Sequence, residues 1–85
     1  MITLNYTIKD KQGLHARTSG FLVKKANEMK SKVVVKKGNR IESARDIFGV
    51  MRLGAKKGEE IQIIIEGENE EKDVEKMKKF LMEYL

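Results

Sequence analysis

With 85 residues, 40% hydrophobic and 36% charged, the chain has room for one domain around one small core and is too apolar for a disordered polymer. It contains no cysteine, which excludes a disulfide framework and any cysteine-based zinc site. Eighteen basic against thirteen acidic residues give a net charge of +5, a surface suited to an acidic partner: nucleic acid, a phosphate compound or an acidic protein.

Residues 1–6 alternate rather than forming the basic start and long apolar run of a signal peptide. No apolar stretch approaches the roughly 20 residues of a membrane helix, so the expectation is a cytoplasmic protein with no membrane insertion. Ile2, Leu4, Tyr6 and Ile8 share one face of a half-buried strand, with Thr3, Asn5, Thr7 and Lys9 on the other. A loop over residues 10–13 leads to a helix from Ala16 to about Met29, with Leu22, Ala26 and Met29 on its apolar stripe and Phe21 beside it. The β-branched run Val33-Val34-Val35 predicts a strand from Lys32 to Lys36. Gly38-Asn39 then turns the chain back into an antiparallel strand, Arg40 to Ser43. Asp46 N-caps a short helix through Leu53, closed by Gly54. After Gly58 comes a strand with Ile61, Ile63 and Ile65 on one face. Asn69 is expected to cap a last helix whose first turn carries Glu70, Glu71 and Asp73 and whose buried stripe is Val74, Met77, Leu81 and Tyr84. The order βαββαβα, with strands apolar on one face, predicts an α+β fold in which helices cover one side of an antiparallel sheet.

The chemistry concentrates in Gly13-Leu14-His15-Ala16-Arg17-Thr18, at a strand-to-helix junction. A helix start offers unpaired backbone N–H groups and the positive end of the dipole, which suits a phosphate. Ala16, Arg17 and Thr18 are candidate phosphate ligands, Arg17 through its guanidinium fork. His15, the only histidine, supplies a nucleophilic nitrogen. The plainer reading of such a junction is a capping histidine beside a solvated arginine.

The stretch Gly13-Leu14-His15-Ala16-Arg17, followed by Asp46-Ile47-Phe48-Gly49-Val50-Met51-Arg52-Leu53-Gly54 and Lys57-Gly58, closely resembles HPr, the histidine-containing phosphocarrier of the bacterial phosphotransferase system. The likeness runs along essentially the whole chain, residues 1–85 as one phosphocarrier domain. It implies an open-faced β-sandwich with a four-stranded antiparallel sheet and three helices on one face. It also implies a carrier, not an enzyme, phosphorylated on Nδ1 of His15 by enzyme I with phosphoenolpyruvate as ultimate donor. The phosphoryl group then passes to sugar-specific permease components. Arg17 would be the neighbouring phosphate ligand, and Ile47, Phe48 and Met51 an apolar docking patch rimmed by Lys24, Arg45 and Arg52. For Ile47, Val50 and Met51 the alternative is ordinary core packing; Phe48 is the residue expected to be exposed. No metal or cofactor is implied, and a monomer is expected.

Two positions depart from the family pattern. Proline usually follows the arginine, where this chain has Thr18; the loss of proline is expected to loosen the first turn, and the hydroxyl is free to bond phosphate. In many Gram-positive relatives a serine phosphorylated by a dedicated kinase stands at the place of Asp46, which no serine kinase can modify. Asp46 is then either a helix cap or a constitutive, weaker imitation of phosphoserine. The alternative function is a specialised or regulatory HPr paralogue acting through protein binding, for instance to a transcription regulator. Nucleic-acid binding rests on charge alone and lacks interleaved aromatics or a binding motif, so no nucleic-acid partner is expected.

Overall fold

The computed structural model describes residues 1–85. The elements are β1 (Ile2–Thr7), α1 (Ala16–Asn27), β2 (Lys32–Lys37), β3 (Arg40–Ser43), α2 (Ile47–Arg52), β4 (Glu60–Glu66) and α3 (Glu70–Tyr84), in the expected order. The four strands form one antiparallel sheet in the order β1-β4-β2-β3. Val35 lies opposite Ile63, and Val33 opposite Ile65, so the inward residues of the two central strands meet row by row. Ile61, Ile63 and Ile65 are wholly buried, each contributing about 1.5–3 kcal/mol by leaving water. Leu22 and Ala26 of α1, Val50 of α2 and Met77, Phe80 and Leu81 of α3 complete the same core. The other face of the sheet carries no helix and is bordered by partly exposed Val34 and Ile64 and by exposed Ile41.

Local chemistry explains the turns. Lys37 pairs with Arg40 across a two-residue loop, and Gly38 takes φ +59 at its first position, as a type II′ hairpin turn requires.

The helices differ from the sequence reading in four details. α1 stops at Asn27, and Met29 is buried from the turn that follows. In α3 the inward aromatic is Phe80, 4% exposed, while Tyr84 is 45% exposed at the last turn. Asn69 sits at the N-cap of α3, but its side chain makes no capping bond; instead Glu70 Oε1 accepts from Gly67 N at 3.2 Å. Asp73 points inward rather than toward solvent, its Oδ2 accepting from Ser31 N at 3.2 Å and tying α3 to the α1–β2 connection.

Candidate functional site

The approach to α1 is fixed by Gly13. Its φ is +68, and a Cβ there would run into Ala55 O and lie 2.8 Å from Lys56 Cα. Glycine alone fits, because the loop is pressed on the segment after α2, where Leu14 N donates to Ala55 O at 2.9 Å. The chain then enters the helix with extended His15 as N-cap, and Ser19 N donates to His15 O at 2.8 Å. The imidazole faces the Thr18 backbone in a capping-box arrangement without forming a cap hydrogen bond. Thr18 supplies the other half of the box. Its Oγ1 accepts from His15 N at 3.1 Å and donates to Gly13 O at 2.6 Å.

Thr18 therefore has no free hydroxyl to offer a phosphate. It is 1% exposed and its hydroxyl is committed on both sides. Nor does it loosen the first turn: the hydroxyl pins Gly13 and His15 together, so a hydrogen-bonded clasp stands where a proline ring would stiffen the backbone. The N–H groups of Ala16 and Arg17 have no hydrogen-bond partner, the usual condition of a helix start.

The His15 side chain is 30% exposed. Its Nε2 is covered from solvent and has no hydrogen-bond partner; the nearest charge is Asp10 Oδ2, 3.9 Å away. Arg17 is exposed and turned along α1, its guanidinium 5.9 Å from the centre of the Phe21 ring one turn on. Phe21 in turn meets Tyr84 at 5.3 Å, and Tyr84 meets Phe80 at 5.2 Å, joining the site's arginine to the end of α3 through aromatic contacts.

The residues expected to form a docking face divide into two groups. Phe48 is 69% exposed, whereas Ile47 and Met51 are half-buried and Val50 is fully buried. Ile47 packs toward α1 at Gly20, where a Cβ would meet its Cδ1 at 3.7 Å. Lys24 is exposed on α1. Arg45 has a different job from a rim cation: Nη2 donates to Met29 O at 2.7 Å, Ser31 O at 3.2 Å and Ala26 O at 3.4 Å, closing the C-terminal end of α1. Arg52 lies 3.5 Å from Glu42 Oε1 and 3.7 Å from Asp46 Oδ2, in an exposed cluster. Asp46 caps α2 as the sequence predicts, Oδ1 accepting from Gly49 N at 3.0 Å. Glu42 folds over the same turn, so that a Cβ on Gly49 would strike its carboxylate.

Sequence reading did not single out Asp10, Glu42 or the end of α3 as neighbours of these positions. Asp10 reads as an ordinary turn residue, and nothing in its local pattern signals a histidine five positions on.

Comparison with known proteins supplies the lineage of this geometry. The family model described as the PTS HPr component phosphorylation site matches residues 2–83. The chain belongs to the HPr family of phosphocarrier proteins. Its similarity within the HPr family is divided. The phosphocarrier protein HPr of Lysinibacillus sphaericus is 34% identical over 83 residues, covering 98% of this chain and 94% of the relative. The HPr-like protein Crh of Bacillus subtilis is 31% identical over 83 residues, covering 98% of each. Among solved structures, HPr-C-His from Thermoanaerobacter tengcongensis superimposes with a TM-score of 0.90 at 32% identity, over 96% of this chain and 92% of that one. The open-faced arrangement expected from the HPr resemblance is therefore the fold observed, down to the order of its elements.

Proposed function

We propose that this chain accepts a phosphoryl group on Nδ1 of His15 from enzyme I, with phosphoenolpyruvate as ultimate donor, and hands it to sugar-specific permease components in the cytoplasm. The observation that carries this reading is the asymmetry of the imidazole. Nε2 is covered and unpartnered, which favours Nδ1 as the nitrogen that meets an incoming phosphorus, and His15 directly precedes the unpaired N–H groups of Ala16 and Arg17. Membership in a family whose model is built on a phosphorylation site supports it further.

The residues divide the work. The positive end of α1 and its free N–H groups receive the phosphoryl oxygens. Arg17 leaves the Phe21 ring and places its guanidinium fork on those oxygens, where a charge-assisted bond is stronger than a solvated ring contact. Phe48, with the exposed edges of Ile47 and Met51, supplies an apolar landing surface, and Lys24 and Arg52 attract an acidic partner. The chain works as a monomer and is a substrate of enzyme I rather than a catalyst.

Incubation with enzyme I and phosphoenolpyruvate, read by intact mass, tests the proposal. One acid-labile phosphoryl group on wild type and none on His15→Ala is the expected result. Equal labelling of His15→Ala refutes the assignment.

A second reading is a regulatory paralogue, favoured by the similarity to Crh and by Asp46 at the place of the regulatory serine. Under it, the chain works through protein binding with Asp46 as its fixed charge. Two features weigh against that use: Asp46 caps α2 and Arg52 lies beside its carboxylate. Phosphorylation of Asp46→Ser, but not wild type, by HPr kinase would place the serine-kinase docking surface on this chain.

A further inference from the structure

Asp10 is the one charged side chain that meets the covered side of the His15 ring, and phosphoryl acceptance as described above gives it no task. Its Oδ2 lies 3.9 Å from Nε2, too far for a hydrogen bond and near enough for a direct charge interaction. Nε2 is shielded from water and otherwise unpartnered, so the carboxylate has no competitor at that atom. Asp10 is also held in place. Its carbonyl accepts from Gly13 N at 3.1 Å, and Oδ2 accepts from Gln12 N at 3.0 Å. Asp10 N and Lys9 N both donate to Leu85 O, at 2.9 and 2.6 Å. The loop that carries the carboxylate is thus hooked to the end of α3 on one side and to the start of α1 on the other.

We propose that Asp10 is a positioning residue for His15, drawing the ring hydrogen to Nε2 and keeping the Nδ1 lone pair free for the phosphorus. The proposal rests on the reading of His15 as phosphoryl acceptor. In the step itself the Nδ1 lone pair forms the N–P bond, and the donor's bond to phosphorus breaks with its electron pair leaving on the donor. No proton moves. The imidazole keeps its Nε2–H and gains positive charge, and the Asp10 carboxylate stabilises that charge. A closure of about 1 Å turns the contact into an N–H···O hydrogen bond; such bonds are often long in the resting protein and tighten as charge develops.

Two measurements on the full chain separate this role from a structural one. The first is nitrogen NMR of the labelled histidine at a pH where the ring is neutral. Wild type is expected to hold its hydrogen on Nε2, and Asp10→Ala to show a larger Nδ1–H fraction. Asp10→Asn, which retains an acceptor for Gln12 N, keeps the loop folded should the alanine variant lose it. The second is the rate of phosphorylation by enzyme I. Asp10→Asn is expected to lower the maximal rate about tenfold with KM within about twofold, because the loss falls on the reacting ring and not on docking. Asp10→Glu, which restores the charge, is expected to recover much of the rate. An Nδ1–H ring in wild type, or unchanged tautomer populations in both Asp10→Ala and Asp10→Asn, overturns the proposal whatever enzyme I does. Equal rate losses in Asp10→Asn and Asp10→Glu overturn it too, as they mark a purely structural residue. If enzyme I leaves wild type unmodified, the acceptor reading fails, and the spectra alone still decide whether Asp10 holds the ring.

Discussion

Two helix starts, those of α1 and α2, answer the same problem of unpaired N–H groups in opposite ways. At α2 the N-cap side chain does the capping: Asp46 Oδ1 takes Gly49 N, while Glu42 and Arg52 close around the turn. At α1 the N-cap side chain is His15, which makes no cap bond, and the closing is left to Thr18, buried and bonded to both Gly13 and His15. A cap whose side chain is engaged is fixed in place, whereas moving the closing task to Thr18 leaves the imidazole without a capping bond to hold it. Under the proposed phosphoryl transfer, the helix start with the idle cap is the one that carries the chemistry.

Breaking the α1 arrangement at its foundation should have the largest effect. Gly13→Ala forces a Cβ into the backbone at Ala55–Lys56 in a positive-φ conformation. A loss of about 3 kcal/mol or more is expected in chemical denaturation, together with loss of phosphorylation, since the loop must move. Removing only the clasp is milder. Thr18→Val keeps the volume but leaves Gly13 O and His15 N without their partner, at a cost of about 1–3 kcal/mol in the same assay. A Thr18→Val protein as stable as wild type would contradict the division of labour between His15 and Thr18.

A pair of variants should separate stability from transfer. Arg17→Ala is expected to slow phosphorylation about tenfold or more with thermal stability nearly unchanged, because the side chain is exposed and rests only on Phe21. Asp46→Ala should do the reverse, costing about 1 kcal/mol of stability through the lost cap. Asp46→Asn keeps the cap and releases Arg52 from one of its two carboxylates, so stability stays close to wild type. A small change in phosphorylation rate that vanishes at high salt is then the signature of Asp46 charge acting on the partner.

The smallest effect lies at the start of α3. Glu70 is held below the ordinary carboxylate range, chiefly by the terminal ammonium of Met1 and then by Gly67 N. A carboxyl depressed by folding adds stability at neutral pH and loses that addition as pH falls from its ordinary 4.5 through the folded value. Glu70→Gln should therefore flatten the acid side of the stability profile slightly and leave the neutral region almost unchanged.

What the sequence made legible was whatever repeats or sits close along the chain. The alternation of Ile2, Leu4 and Tyr6 and of Ile61, Ile63 and Ile65 gave both the strands and their inward faces, and the spacing of Asp46 and Gly54 bounded α2. His15 and Arg17 stood out because a helix start and a nucleophile fell within three residues. What stayed hidden depended on partners distant in sequence. Arg45 has the look of a surface cation until the carbonyls of Ala26, Met29 and Ser31 converge on it, and Asp73 looks like a dipole-side acid until Ser31 N meets it. Tyr84 fits the apolar stripe by period, but at the last turn it swings out to stack between Phe21 and Phe80. Thr18 was hidden for another reason. Its hydroxyl is equally suited to phosphate and to backbone, and only burial shows that backbone has taken it.

The proposal turns on Nδ1 of His15, and not the covered Nε2, receiving the phosphoryl group. Its most direct test is phosphorus–nitrogen coupling in NMR of nitrogen-labelled protein after enzyme I and phosphoenolpyruvate treatment. A single phosphorus coupled to Nδ1 of His15 is expected. A phosphorus on Nε2, or on any side chain other than His15, would contradict it.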